Sequence, residues 1–316
     1  MSLANLNMVD LYIGHGYCDY TASVGDDAVR SLLPANLTEE VELLAAECAR
    51  LYGADVQPEF ALEFGGVRYR VTATMDVANK AVFVLNRASA TLRKTSTLGH
   101  PPHIRELILS SDTSGLVLLA GSPGSGKTTA AGSYLVERLE RNGGRAWAIE
   151  DPPELMLDGE HGKGRCTQVP VSRRAGGYGE QLIRAVRARI KTILIGEIRD
   201  PLTAREVVLA SNNGHLIIST IHADTVANAC RRVIELAEGA GITNGAAMLA
   251  DGLAAVIHQK LQRPDAVTPN RPVAVIARTL SLRHQGTDAI RSRIRESRLD
   301  LLQQDVLEQA NRSSWQ

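Results

Sequence analysis

Gly121-Ser122-Pro123-Gly124-Ser125-Gly126-Lys127-Thr128-Thr129 is the stretch that decides the fold, because the apolar run Leu116-Val117-Leu118-Leu119-Ala120 leads straight into it. Gly121, Gly126, Lys127 and Thr128 fill the pattern G-x-x-x-x-G-K-[ST]. Glycines at these places let successive backbone N–H groups curl around an anion at the start of a helix. Lys127 can then reach the β- and γ-phosphates of ATP, and the Thr128 hydroxyl can ligand Mg²⁺. A chance glycine-rich turn gives no reason for a buried strand before it and helix-forming residues 130–141 after it. Residues 121–129 are therefore predicted to hold nucleotide phosphates.

Working outward from this loop, strand and helix alternate. Apolar strands are expected at 116–120, 145–149, 192–196 and 215–220, with helices at 127–141, 178–190, 201–212 and 224–238. Asp200-Pro201 marks a helix start, a capping carboxylate followed by proline at the first helical position. Such alternation implies a mostly parallel sheet covered on both faces, with ligands at the carboxyl ends of its strands. Residues 1–88 read differently, with β-type alternation and one helix. Thr38 is expected to cap that helix, Val41, Leu44, Ala45, Cys48 and Leu51 to form its apolar stripe, and Gly53 to stop it. Residues 60–64 and 67–74 around Gly65-Gly66 suggest a β-hairpin, and 81–85 a further strand. Residues 89–103 have linker composition, and the second domain runs over 104–316.

A chain of 316 residues accommodates about two domains. Lys plus Arg and Asp plus Glu both number 35, and aromatics are 4%, so neither a basic field nor a base-stacking platform points to nucleic acid. Cys18, Cys48, Cys166 and Cys230 lie far apart and form no C-x-x-C pair, which predicts buried thiols in a reducing compartment. There is no signal-peptide pattern, and the apolar stretch 246–257 is broken by Asp251 and too short to span a bilayer. A soluble cytoplasmic protein is expected.

The chemistry gathers after the strands. Ile149-Glu150-Asp151-Pro152-Pro153-Glu154 follows the second strand, and Gly196-Glu197-Ile198-Arg199-Asp200 ends the third. Many enzymes with this loop place an aspartate where Gly196 stands, to hold Mg²⁺ and orient water; here Glu197 is the carboxylate that remains. The fourth strand carries His215 before it and His222 after it.

These four motifs, in this order and spacing, resemble the hexameric secretion-superfamily ATPases that drive type II secretion, type IV pili and type IV secretion. The likeness extends back through 60–70, Arg87 and Leu98-Gly99-His100-Pro101, and forward to the run 289–296, which is similar to a stretch of the type IV pilus retraction ATPases. It implies a RecA-like P-loop ATPase domain with a parallel twisted sheet, preceded by a small PAS-like α/β domain. It further implies a homo-hexamer using ATP and Mg²⁺ at the inner face of the cytoplasmic membrane. Its partners would be inner-membrane platform or secretion-complex proteins, with membrane association only through them and no direct nucleic-acid contact.

Carried over residue by residue, the resemblance makes Glu197 the glutamate that polarises water, with Glu150 and Asp151 assisting. His222 would be a γ-phosphate sensor, and His215 a strand support or reporter of nucleotide state. Arg68, Arg70 and Arg87 would be arginines presented to nucleotide. Arg187 matches a helix arginine of the family, while Ile183 stands in place of its upstream partner and Ile190-Lys191 in place of Pro-Asp. No four-cysteine zinc module is present, which favours the retraction-like or type IV secretion-like branch. Two other classes stay open at this level: a RecA-like nucleic-acid motor, and a nucleotide-gated scaffold with little turnover. A transporter cassette is disfavoured because no LSGG signature occurs.

Overall fold

A computed structural model of the chain describes residues 2–22, 29–55, 58–88, 92–171, 177–262, 274–283 and 286–313. It divides into two compact units, Met1–Thr91 with Asp151–Met156, and Leu92–Glu150 with Leu157–Gln316.

The first unit is an antiparallel sheet with one helix. Its strands are β1 (Asp10–Gly14), β2 (Tyr17–Thr21), β3 (Arg30–Leu32), β4 (Glu59–Phe64), β5 (Val67–Met75) and β6 (Ala81–Arg87), in the order β3-β2-β1-β6-β5-β4. Helix α1 (Thr38–Asp55) supplies Val41, Leu44 and Cys48 to a core completed by Leu11, Tyr69, Val71 and Leu85. Thr38 is not the cap that the sequence suggests. A 3-10 turn, Ala35–Leu37, runs directly into the helix, and the Thr38 hydroxyl donates to the Ala35 carbonyl at 2.9 Å. Nor does Gly53 end the helix, which continues to Asp55.

The second unit carries an eight-stranded sheet in the order β14-β13-β7-β12-β11-β8-β10-β9. The four strands foreseen from sequence are β7 (Gly115–Ala120), β8 (Gly144–Glu150), β11 (Thr192–Ile195) and β12 (Leu216–Ile221), and they form one contiguous parallel block. Four strands were not foreseen: β9 (Gly159–His161), β10 (Gly164–Pro170), β13 (Leu253–Gln262) and β14 (Ala274–Ser281). β10 and β13 extend the block in parallel, while β9 and β14 close its edges antiparallel.

Helices α3 (Lys127–Asn142), α4 (Gly177–Arg187), α5 (Pro201–Asn212) and α6 (Val226–Gly239) alternate with the strands as expected. α4 stops at Arg187, short of 190, because Arg189 turns to φ 58° and the Ile190 N–H closes back on the Ala185 carbonyl. Asp200 caps α5, accepting from the Thr203 N–H at 2.9 Å, and Thr225 caps α6 in the same way. Helix α7 (Gly245–Gly252) precedes β13, and α8 (Asp288–Arg295) and α9 (Leu302–Ser313) follow β14.

Helix α2 (Pro102–Leu109), not foreseen, straddles the expected linker boundary at 103 and is begun by proline at its first position. Its exit is fastened by Arg138 of α3, whose guanidinium donates to the carbonyls of Ile108, Ser110, Ser111 and Thr113. Arg138 Nε also reaches the Thr192 hydroxyl at 3.4 Å, at the start of β11. Three of the cysteines are buried and free, whereas Cys18 is only half-buried. Among the described residues no helix is long and apolar enough to cross a membrane.

Candidate functional site

Strand β7 is buried along its whole length and delivers the chain to the loop 121–126 at the carboxyl end of the sheet. Gly124 (φ 70°) and Gly126 (φ 87°) take left-handed backbone conformations that other residues adopt at a cost. A Cβ on Gly121 would stand 2.4 Å from the Gln259 carbonyl oxygen, so the pattern's first glycine is also demanded by contact with β13. The loop ends at the N-terminus of α3, where the N–H groups of the first turn and the helix dipole favour a phosphate. The lining therefore fits an anion.

Lys127 is buried at 7% exposure, and its ammonium donates to the carbonyls of Gly121 and Ser122, each at 2.9 Å. It also lies 3.5 Å from His222 Nδ1, just beyond β12. An ammonium can only donate, so Nδ1 accepts and the ring proton sits on Nε2. That nitrogen faces Glu197 Oε1 at 3.4 Å. Three residues from the ends of three parallel strand–helix units thus form a line, Lys127 to His222 to Glu197. Beside His222 opens a cavity of about 520 Å³ lined by Asp224, Asn228, Arg231, Arg232 and Glu235.

Glu150, a residue only 2% exposed, ends β8, and its carboxylate accepts from Gln168 Nε2 of β10 at 2.6 Å. Gln168 was not anticipated. Only its place on a parallel neighbour, opposite Ala148, brings it here. Gly196 also gains an explanation. A Cβ there would lie 3.1 Å from the Tyr178 hydroxyl and 3.5 Å from Glu150 Cα. A side chain there would press on the tyrosine hydroxyl, and in this chain the buried carboxylate, Glu150, is on the adjacent strand.

His215 lies at the opposite end of β12 from His222, donating Nδ1–H to the Ile190 carbonyl at 2.8 Å. It holds the strand's entry. Arg68 and Arg70 flank the buried Tyr69 on β5 and share one face, as their alternation predicts. Arg68 donates to the Leu155 carbonyl at 3.0 Å and lies 3.7 Å from Glu63. Arg70 pairs with Glu154 at 3.1 Å and with Glu59 at 3.7 Å. Both sets of partners belong to the first unit, which includes 151–156. Arg87 instead fastens the amino-terminal turn, donating to the carbonyls of Leu6 and Ala4. Arg187 is exposed at the end of α4.

Residues 59–315 match the family described as type II/IV secretion system protein. The chain belongs to that family. It is 33% identical over 187 residues to the type IV pilus retraction ATPase PilT of Pseudomonas aeruginosa, covering 58% of this chain and 51% of that one. It is 26% identical over 251 residues to a twitching motility protein of Neisseria gonorrhoeae, covering 78% and 66%. The matches thus span less than two thirds of these relatives' own lengths. The fold is that of the crystal structure of the pilus retraction motor PilT with bound ADP. The TM-score is 0.76 at 22% identity, over 95% of this chain and 86% of that one. The secretion-family fold is thus a RecA-like α/β domain preceded by a smaller sheet domain.

Proposed function

We propose that the chain hydrolyses ATP as a hexameric motor of a type IV pilus, retraction-like, or of a type IV secretion or conjugal transfer machine. The observation that carries this reading is the line from Lys127 through His222 to Glu197 at the mouth of the phosphate loop. Residues 121–129 hold the nucleotide phosphates, with the Lys127 ammonium neutralising β- and γ-oxygens. Glu197 takes the proton of a water as its oxygen bonds to the γ-phosphorus and the bond to the β-phosphate oxygen breaks. Glu150, kept in place by Gln168, assists on the same side. His222 senses the γ-phosphate, because the lysine it contacts must turn to that phosphate.

The Thr128 hydroxyl would hold Mg²⁺, a hard cation suited to such oxygen donors, which neutralises phosphate charge. Arg68 and Arg70 are the arginines offered to developing phosphoryl charge, a role Arg87 shares only on leaving the carbonyls of Leu6 and Ala4, and inner-membrane platform or secretion-complex proteins receive the motion. The place of action is the cytoplasmic face of the inner membrane.

Phosphate release from purified protein tests the reading. Glu197→Gln is expected to keep nucleotide binding while cutting turnover about 10²- to 10⁴-fold, the usual worth of a positioned general base. Undiminished release in that variant removes Glu197 from the role and transfers it to Glu150 or Asp151.

A further inference from the structure

Beneath the phosphate loop runs a buried chain of hydrogen bonds that ties it to β13, α3 and the segment before α2. Gln259 on β13 is 2% exposed, and its Nε2 donates to the Ser125 carbonyl at 2.6 Å. Its Oε1 lies 3.2 Å from His100 Nε2, and His100 Nδ1 lies 2.8 Å from the Tyr134 hydroxyl. His100 is 9% exposed and stacks at 16° on the Tyr134 ring.

The proton positions follow from one fixed point. A carbonyl only accepts, so the amide group of Gln259 must face Ser125 and its oxygen must face His100. His100 then carries its proton on Nε2, its Nδ1 accepts, and the Tyr134 hydroxyl donates. The bonds all run one way, from Tyr134 to His100 to Gln259 to Ser125. Burial favours this neutral ring, pushing the His100 pKa down to about 4.

We propose that Gln259 is a positioning residue of the phosphate loop, and that His100 and Tyr134 fix the orientation in which it donates. In a trans peptide the carbonyl and the next N–H point in opposite directions. Holding the Ser125 carbonyl against β13 therefore turns the Gly126 N–H away from β13. Gln259 also underlies both defining glycines: a Cβ on Gly126 would lie 3.2 Å from its Nε2, and one on Gly121 2.4 Å from its backbone oxygen. His100 belongs to the segment between residue 91 and α2, so the position of that segment is felt at the loop. This deepens the nucleotide-binding reading and rests on it.

The test is the affinity of the full chain for a fluorescent ADP analogue, with KM and kcat for ATP. Gln259→Met keeps volume and removes the donor; binding should weaken about 5- to 100-fold, the range for a buried carbonyl deprived of its partner. KM should rise with kcat changed much less. Tyr134→Phe removes one hydroxyl from a ring that stays packed, and should weaken binding about two- to fivefold with Tm lowered by a few degrees at most. That loss should vanish in the Gln259→Met background, because the relay is already cut. Unchanged affinity in Gln259→Met, or a Tyr134→Phe loss of equal size in both backgrounds, overturns the relay alone. A parent chain that binds no analogue overturns the nucleotide-binding reading with it. If Gln259→Met does not fold, Tyr134→Phe with unaltered affinity overturns the relay by itself.

Discussion

The charged groups at the carboxyl end of the eight-stranded sheet and those on β5 are held in opposite ways. Lys127 is buried and bonded to two carbonyls of its own loop, and Glu150 is buried against a strand neighbour. Arg70 is half-exposed and sits between two carboxylates that are themselves half in water. Backbone and buried partners fix a geometry before any ligand arrives, whereas exposed ion pairs are worth only about 0–1 kcal/mol and are readily exchanged. The first arrangement suits a site that must be accurate. The second suits a group that changes partners during a cycle.

Lys127→Ala attacks the accurate region and should have the largest effect. ATP binding should fall by orders of magnitude, measured by titration with a fluorescent analogue, because the cation at the β- and γ-phosphates is gone. Binding equal to the parent's would mean that the loop does not hold phosphate.

Arg70→Ala attacks the exchangeable region and should separate stability from activity. Loss of half-exposed pairs should leave Tm within a few degrees, while turnover drops about 10-fold or more if the guanidinium meets phosphoryl charge in the transition state. Mixing Arg70→Ala with Glu197→Gln chains asks where it acts. Recovered phosphate release means that the arginine and the glutamate of one site come from different subunits. Mixtures no more active than their components place both in one chain. Arg87→Ala should behave otherwise, lowering Tm along with activity, since its acceptors are structural carbonyls of the amino-terminal turn.

The smallest effect concerns pH. His100 is depressed to about 4 by burial, against an ordinary value near 6.5. Between those values the unfolded chain binds a proton that the folded chain refuses, so stability must fall as pH drops from about 6.5 towards 4. Above 6.5 both states are neutral and His100 contributes no pH dependence. Thermal melts of the parent and His100→Asn at pH 7.5, 6 and 5 should show a shallower decline in the variant. Parallel declines would show that the ring is not held neutral.

How much of this was legible depended on whether a signal was local. β7, β8, β11 and β12 are short apolar runs followed by helices, and the loop motif, the Asp200 cap and the Glu150 box are each read from residues only a few positions apart. β13 could not be read. It is buried on both faces, so Leu253 to Ile257 shows no alternation, and α7 ahead of it merges into the same apolar stretch. α2 was masked by the Pro101-Pro102 that begins it. Gln259 lies 134 residues from Ser125 and 159 from His100, a separation at which no spacing rule operates. Gln168 and Tyr178 were missed likewise, since only the folded sheet sets them against Glu150 and Gly196.

The fastening of α2 by Arg138 bears on how rigidly the second unit is held together. An attachment between a guanidinium and carboxylates slackens in salt or acid. Carbonyls do not titrate, and a buried bond to them is little screened. Pulling α2 away from α3 would strand several donors in an apolar interior at once, so resistance rises abruptly rather than yielding by degrees. The corner where α2, α3 and the start of β11 meet should therefore behave as a stiff mount across changing ionic conditions. Compliance in the second unit would be confined to parts not gripped in this way.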